Sequence, residues 1–367
     1  MWNFIKPVKL IRYLLVWRVN SSLVRLPRCL STELSLVLGT IIANRLPTHQ
    51  AHLWRKALAP WDEYGGISVI GKKKPRTVPE VSWPIEAVLF VYPGKLTYGQ
   101  GELILWELKL MGESADHGLF LEVILPALEE VGSVSDPQWR RRNSLWGRFD
   151  IHAVYAARGS HWEPVVSDGR LDLHYRATPV QWAEGLPFDL RPERTFDHLI
   201  WLTPFDLGRD ASASGRQHPS TRLRRTQTSA SSAEPSSRRA AQSSRSERRN
   251  KKIIAPHQVP NLQVILESLL ARMSLLLPGK HHTPDDVWDI LSAEERTSLQ
   301  AVMEQASRIP IHRDTGLQPA PKQWPGRWIG TQIFPSIPPS IIPYLDLASV
   351  LHIGKQTHFG CGTFVIS

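Results

Sequence analysis

Cysteine is nearly absent. Cys29 and Cys361 stand at opposite ends of the chain, so they supply neither a disulfide framework nor a zinc knuckle. A reduced, intracellular protein is expected. Long apolar runs are also missing. The opening "MWNFIKPVKLIRYLLVWRVN" is broken by Lys6, Lys9, Arg12 and Arg18, short of the roughly 20 apolar residues that a membrane span needs. No apolar segment followed by a small-residue cleavage site marks a secretion signal. The expectation is a soluble, non-secreted, cytoplasmic protein with no membrane partner. No Walker loop, G-x-S-x-G elbow or H-E-x-x-H pair occurs, which removes the usual signatures of phosphate-loop nucleotidases, serine hydrolases and zinc proteases.

Acidic residues are in deficit, 34 against 44 Lys and Arg. The imbalance is concentrated. Residues 215–252 hold nine Arg and two Lys against Glu234 and Glu247, which is +9 of the formal net charge of +10. A near-neutral body carrying a basic tether suits nucleic-acid contact. The same Ser/Arg/Ala composition also describes a solvated, disordered spacer. The length of 367 residues allows two domains. The 29 prolines and 14 tryptophans point to many turns and large aromatic anchors.

Periodicity gives a coarse order of elements. "VKLIRYLLVWR", 8–18, reads as a strand. "STELSLVLGTIIAN", 31–44, reads as a helix capped by Ser31 or Thr32 and ended by Pro47. "EAVLFVYPG" and "ELILWELKLMG" read as strands around a turn at Gly94–Gly101. "DHGLFLEVILPALEEVG", 116–132, is an amphipathic helix with Pro126 as a potential kink. "GRFDIHAVYAA", 147–157, alternates as a strand, and the turn-rich 161–194 reads as a connector. A second series follows: a strand at 195–207, a disordered basic insertion at 209–252, a helix at 261–277, one or two helices at 283–308, a strand at 326–334, a short helix reaching Gly354, and a terminal strand in "TFVIS". Each series fits the β-α-β-β-α-β pattern. The expected fold is α+β, two tandem ferredoxin-like (RRM-like) domains over 1–160 and 195–367, the second with a long insertion.

The last helix and strand are joined by "HIGKQTHFGCGTF", with Gly354, Lys355, Thr357, His358, Phe359, Gly360 and Gly362. Glycines allow positive φ and close approach of backbone N–H groups to a ligand, and successive N–H groups can form an anion nest. Lys355 adds a cation and Phe359 a ring for stacking. The alternative is a tight turn with Phe359 in the core and Lys355 in water.

Helix, Gly-Lys-x-Thr-x-Phe-Gly-x-Gly, then a final strand resembles the C-terminal signature of CRISPR pre-crRNA processing endoribonucleases of the RAMP superfamily. "KLTYGQGELILWELKLMG", "LPALEEVG" with "LWGRFDIHAV", "FDHLIWLTPFDL" and "LESLLARMSLL" resemble further blocks of that family in the same order. The resemblance implies cleavage of CRISPR repeat RNA near a hairpin base, without metal or cofactor. The 2′-OH attacks the adjacent phosphate and leaves 2′,3′-cyclic phosphate and 5′-OH ends. Its implied partners are repeat RNA or crRNA, and subunits of an effector complex. A non-catalytic guide-holding subunit of the same superfamily, or an interaction protein without RNA activity, are the other readings.

Such chemistry needs a base, an acid and a cation, and histidine serves either proton role. "THQAHLWRK" places His49 and His52 at i, i+3 spacing, with Lys56 one turn on. In the family a catalytic histidine sits in or soon after the first helix. His49 or His52 is the candidate base, with Lys56 or Lys355 as the cation. A surface pair without a task is the plain alternative. His352 and His358 flank the loop as alternatives, and His352, after an apolar run, also reads as a hydrogen-bonded core histidine. Arg140, Arg141 and Arg142 form a candidate RNA-backbone contact or a solvated loop.

Overall fold

The computed structural model describes residues 3–65, 82–133, 145–186, 195–208, 259–279, 283–312, 316–322 and 324–367. The basic insertion and Arg140–Arg142 lie outside the described residues.

The first half is a mixed α/β unit on an antiparallel sheet. It runs β1 (Leu10–Val19), β2 (Leu23–Arg25), α1 (Leu30–Arg45), α2 (Thr48–Gly65), β3 (Ala87–Val91), β4 (Thr97–Gly99) and β5 (Leu103–Met111). A broken helix follows, α3 (His117–Leu119) and α4 (Leu125–Ser133), then β6 (Phe149–Arg158), β7 (His161–Ser167) and β8 (Arg170–Leu171). The sheet order is β3-β5-β1-β6-β7-β8. The second half runs β9 (Phe196–Phe205), α5 (Leu262–Leu276), α6 (Pro284–Asp289), α7 (Ala293–Arg308), β10 (Gln318–Pro319), β11 (Trp328–Ile337), α8 (Ile342–Leu351) and β12 (Phe364–Ile366). Its sheet order is β10-β11-β9-β12. Number the main strands of each half one to four along the chain, β1, β3, β5, β6 and then β9, β10, β11, β12. Both sheets then read second, third, first, fourth.

Several elements depart from the periodicity reading. Pro47 does close α1, but the chain turns straight into a second helix, α2, whose first turn bonds back to the Pro47 carbonyl. α1 starts one residue earlier than expected, with Cys29 at the cap and no side-chain cap bond, while Thr32 donates to the Cys29 carbonyl. The expected turn at 94–101 contains β4, which pairs with β2. The helix over 116–132 is interrupted at Phe120–Ile124 by a π turn. It lies just before Pro126, where a missing N–H disrupts regular α bonding. Residues 161–171, expected as connector, add β7 and β8 to the first sheet. Their hairpin turns on Asp168 and Gly169, both at positive φ, the conformation that favours tight hairpins.

Alternation along β5 explains the first core. Ile104, Trp106, Leu108 and Leu110 are buried with Trp17, Phe149, Phe120 and the apolar face of α1. The odd positions face the other way, where Leu103 and Leu105 are exposed but Glu107, Lys109 and Met111 are covered. The second core is not private to the second half. Phe4, Ile5, Val8 and Leu10 from the N-terminus join it, with Val88, Met111 and Trp182. Phe4 meets Tyr344 edge-on at 5.1 Å. The acidic pairs at 285–286 and 294–295 sit in first helical turns, with Asp286 and Glu295 completing capping boxes.

The alternation predicts an asymmetric response along one strand. Trp106→Ala should cost about 3–5 kcal/mol in urea denaturation, whereas Leu103→Ala should stay within about 0.5 kcal/mol. Equal losses would mean that the two faces are not packed as described.

Candidate functional site

The loop after α8 is a packed plug between the two halves. His352 closes α8 at φ 57, a conformation uncommon for a residue with a Cβ. Ile353 then bonds to the Gly362 carbonyl, and the Lys355 N–H to the Asp206 carbonyl at 2.8 Å. A 3₁₀ turn, Thr357–Phe359, leads to Gly360. The positive-φ glycines are needed for space as much as for dihedrals. A Cβ on Gly354 would lie 2.5 Å from the Asp206 carbonyl, one on Gly360 2.7 Å from that of Leu89, and one on Gly362 1.9 Å from that of Ile353.

This packing uses up donors. The N–H groups of Ile353, Lys355, Phe359, Gly360 and Gly362 all bond to protein carbonyls, so the nest expected from the glycine spacing is largely engaged within the chain. Phe359 is 3% exposed and turned into the protein, while Lys355 is exposed and Thr357 half-buried.

Both loop histidines are buried and fully bonded. His358 Nδ1 donates to the Ala87 carbonyl at 2.8 Å and its Nε2 accepts from Ser35 Oγ at 2.7 Å. His352 Nδ1 faces the Gly360 and Cys361 carbonyls, each at 3.1 Å, and its Nε2 accepts from Lys109 Nζ at 2.9 Å. Two carbonyl acceptors place a proton on Nδ1, and the donation from Lys109 leaves Nε2 without one. Burial pulls His358 down to about 4, and burial with the neighbouring Lys109 holds His352 well below its ordinary value.

Beneath the loop lies a charged layer that periodicity did not reveal. Lys109 Nζ donates to the Val350 carbonyl at 2.8 Å, and Arg272 Nε to the Leu351 carbonyl at 3.2 Å. Two cations therefore cap the last carbonyls of α8. Arg272 also pairs with Glu86 at 3.1 Å. Glu107 pairs with Arg12 at 2.5 Å, and the Arg12 guanidinium lies 5.4 Å over the Trp162 ring. Burial pushes the Glu107 carboxyl up, but Arg12 and Lys109 together hold it below the ordinary range. Burial takes Lys109 down to about 7 against the pull of Glu107. The available signal was a charge inside an apolar run, "LILWELKLM" for β5 and "LLARMSLL" for α5.

His49, His52 and Lys56 all lie on α2 and are exposed, while Ala51, Trp54 and Leu58 are buried. The i, i+3, i+7 spacing puts the three candidates on one stripe opposite the buried face. Contact between α2 and the loop runs through that buried face. Trp54 packs on Trp83 at 5.3 Å, and Trp83 on His358 at 5.1 Å. The α2 stripe and the loop residues are thus held by one framework but not brought together. Among the described residues no group of three His, Cys, Asp or Glu is placed to hold a metal ion, and no helix is long and apolar enough to cross a membrane.

No protein-family model matches the chain, and no curated protein matches it. Solved structures of CRISPR-associated Cas6 proteins are similar at low identity. A Cas6 product complex is 16% identical, covering 98% of this chain and 99% of the other, with a TM-score of 0.42. Thermus thermophilus Cas6 is 14% identical over 98% and 99%, with a TM-score of 0.39. A partial Cas6-RT-Cas1–Cas2 complex is 13% identical with a TM-score of 0.42, and this chain spans 46% of that one. All these TM-scores lie below 0.5, and no family assignment rests on them.

The buried His358 makes stability pH-dependent with a definite sign. Between its unfolded value of 6.5 and its folded value of about 4, the unfolded chain binds the extra proton. Stability is therefore lost as pH falls through that window, by on the order of 3 kcal/mol. Lys109 acts with the same sign between about 7 and its ordinary 10.5, so stability rises with pH there. Urea midpoints of His358→Leu should fall less steeply from pH 6.5 to 4.5 than those of the wild type. Parallel curves would show that His358 does not titrate as described.

Proposed function

We infer that the chain is an RNA-binding endoribonuclease of the RAMP type that cuts CRISPR repeat RNA at a hairpin base. The observation that carries the reading is the Gly-Lys-x-Thr-x-Phe-Gly-x-Gly segment, set between the last helix and the last strand of a sheet whose order repeats that of the first half. Two sheets with the same second-third-first-fourth order support two ferredoxin-like domains, with the first domain extended through β8 and the basic insertion carried by the second. The resemblance in sequence supplies the substrate class, CRISPR repeat RNA, and the effector subunits that would receive its product. A cytoplasmic setting follows from that substrate.

The 2′-OH gives up its proton to His49 or His52 and attacks its own phosphorus. The P–O5′ bond breaks, and the leaving oxygen takes a proton from an acid. A cation, Lys56 on the same stripe or Lys355 on the loop, offsets the charge gathered on the phosphoryl oxygens. His352 and His358 are held neutral by burial and sealed from solvent, so they serve the loop's shape in this scheme. Arg140–Arg142 and the basic insertion would extend the phosphate contacts, each neutralised phosphate steepening the salt dependence by roughly 0.7–0.9 in log–log slope.

One observation favours a second reading, a guide-holding subunit without cleavage. The exposed part of the loop presents Lys355 but no histidine, and the exposed histidines of α2 lie opposite its buried face, which is linked to the loop through Trp83.

Synthetic repeat RNA from the genome that encodes the chain, incubated with protein and EDTA, tests both. Wild type should make one cut near the hairpin base, ending in a cyclic phosphate. His49→Ala/His52→Ala should slow it by roughly 10²–10⁴-fold while binding is kept. Tight binding with no cut by the wild type would transfer the protein to the guide-holding class, and absence of binding would end both readings.

A further inference from the structure

A cavity of about 250 Å³ opens beside the loop, where the start of α1, the segment after β3 and the turn before β11 meet. It lies below the roughly 300–1,000 Å³ of sites for drug-sized ligands and is suited to a single flat heterocycle. Four aromatic side chains line it: Tyr92 from the segment after β3, Tyr98 from β4, Trp324 from the turn before β11, and Phe359 from the loop. Flat π faces accept any base by stacking and are indifferent to its identity.

Charge completes the chemistry. Arg28 and Lys95 also line the cavity and both are exposed. Arg28 has no ion-pair partner among the described residues. Lys95 sits 5.2 Å over the Tyr98 ring and bonds Glu102 in an exposed pair, an interaction of little strength that a phosphate can displace. Cys29, Leu30 and Ser31, at the start of the 16-residue α1, form part of the wall, so the positive end of that helix lies at the same place. Aromatic walls and two cations on an opening of this size describe the two ends of a nucleotide.

We propose that this cavity binds one unpaired nucleotide, its base against Trp324 and Tyr98 and its phosphate at Arg28 and Lys95. The proposal rests on the RNA-binding reading for the source of that nucleotide, a splayed residue of the bound strand. It is separate from the α2 stripe and from Lys355, and it assigns binding, not bond cleavage.

The test uses the full chain and the four 5′-mononucleotides as probes, read by saturation-transfer NMR, with nucleosides and inorganic phosphate as controls. Mononucleotides should receive saturation on their base protons. Trp324→Ala should weaken them about tenfold or more, the size of one lost stacking contact. The surface substitution Arg28→Glu, which leaves the packed interior untouched, should weaken mononucleotides but not nucleosides. No saturation transfer to any mononucleotide, unchanged affinity in both variants, or full competition by phosphate with no base contact would each overturn the proposal. Failure of the nuclease reading is read separately. Mononucleotides bound in the cavity of a protein that neither binds nor cuts repeat RNA would leave the cavity standing. Repeat RNA cut normally by Trp324→Ala, with no mononucleotide bound by the wild type, would remove the cavity alone.

Discussion

The contact on which the two halves depend is the capping of α8 by Lys109 and Arg272. A helix C-terminus leaves carbonyls without partners, and here the last of them are buried at the junction of the halves. Lys109 comes from the first sheet and Arg272 from α5, and each donates to one carbonyl. Burying two cations is expensive unless they are bonded and balanced. Glu107 and Glu86 supply the balance, Glu107 itself being held by Arg12 and Tyr92. Removing any one member leaves an uncompensated charge or carbonyl, so the layer behaves as a unit. It fixes where α8 stops, and hence where the glycine loop begins.

From that point the loop has little freedom. His352 takes Lys109 as its donor, His358 takes Ser35, and the three positive-φ glycines let the backbone run against carbonyls of Asp206, Leu89 and Ile353. Glycine therefore serves the close approach of protein to protein, and the side chain left to solvent is Lys355. A loop whose amides and histidines are consumed internally sets geometry.

Much of the frame was legible. Alternation in "LILWELKLM" and "FDIHAVYAA", and helical spacing in "LQVILESLLARMSLL", located strands and helices because each has one buried face. α2 was not, because Pro47 reads as a stop, and its apolar positions Trp54 and Leu58 are widely spaced among polar ones. β7 and β8 escaped because "HWEPVVSDGRL" carries a proline and a turn pair that read as connector. In the candidate site, the glycine positions and Lys355 were visible as a motif. Their burial was not, since it depends on β3 and β9, which are distant in sequence and close only after folding. The Lys109–Arg272 layer left one trace, charges within apolar runs, and single charges of that kind have no partner until topology provides one.

The shared core limits how independent the halves can be. Phe4, Ile5 and Val8 are buried against the second half's helices, and β1, which follows them directly, is one of the two middle strands of the first sheet. The chain thus threads one core to enter the other. The loop returns the connection from the far end, its last strand pairing with β9 while His358 reaches Ser35 and Ala87. With residues 4–8 and the loop at 352–362 both packed across the junction, the halves are placed by covalent continuity as well as by contact. A ligand spanning them would meet a surface largely formed before it arrives, and it would be spared much of the ordering cost that a flexible two-domain clamp imposes.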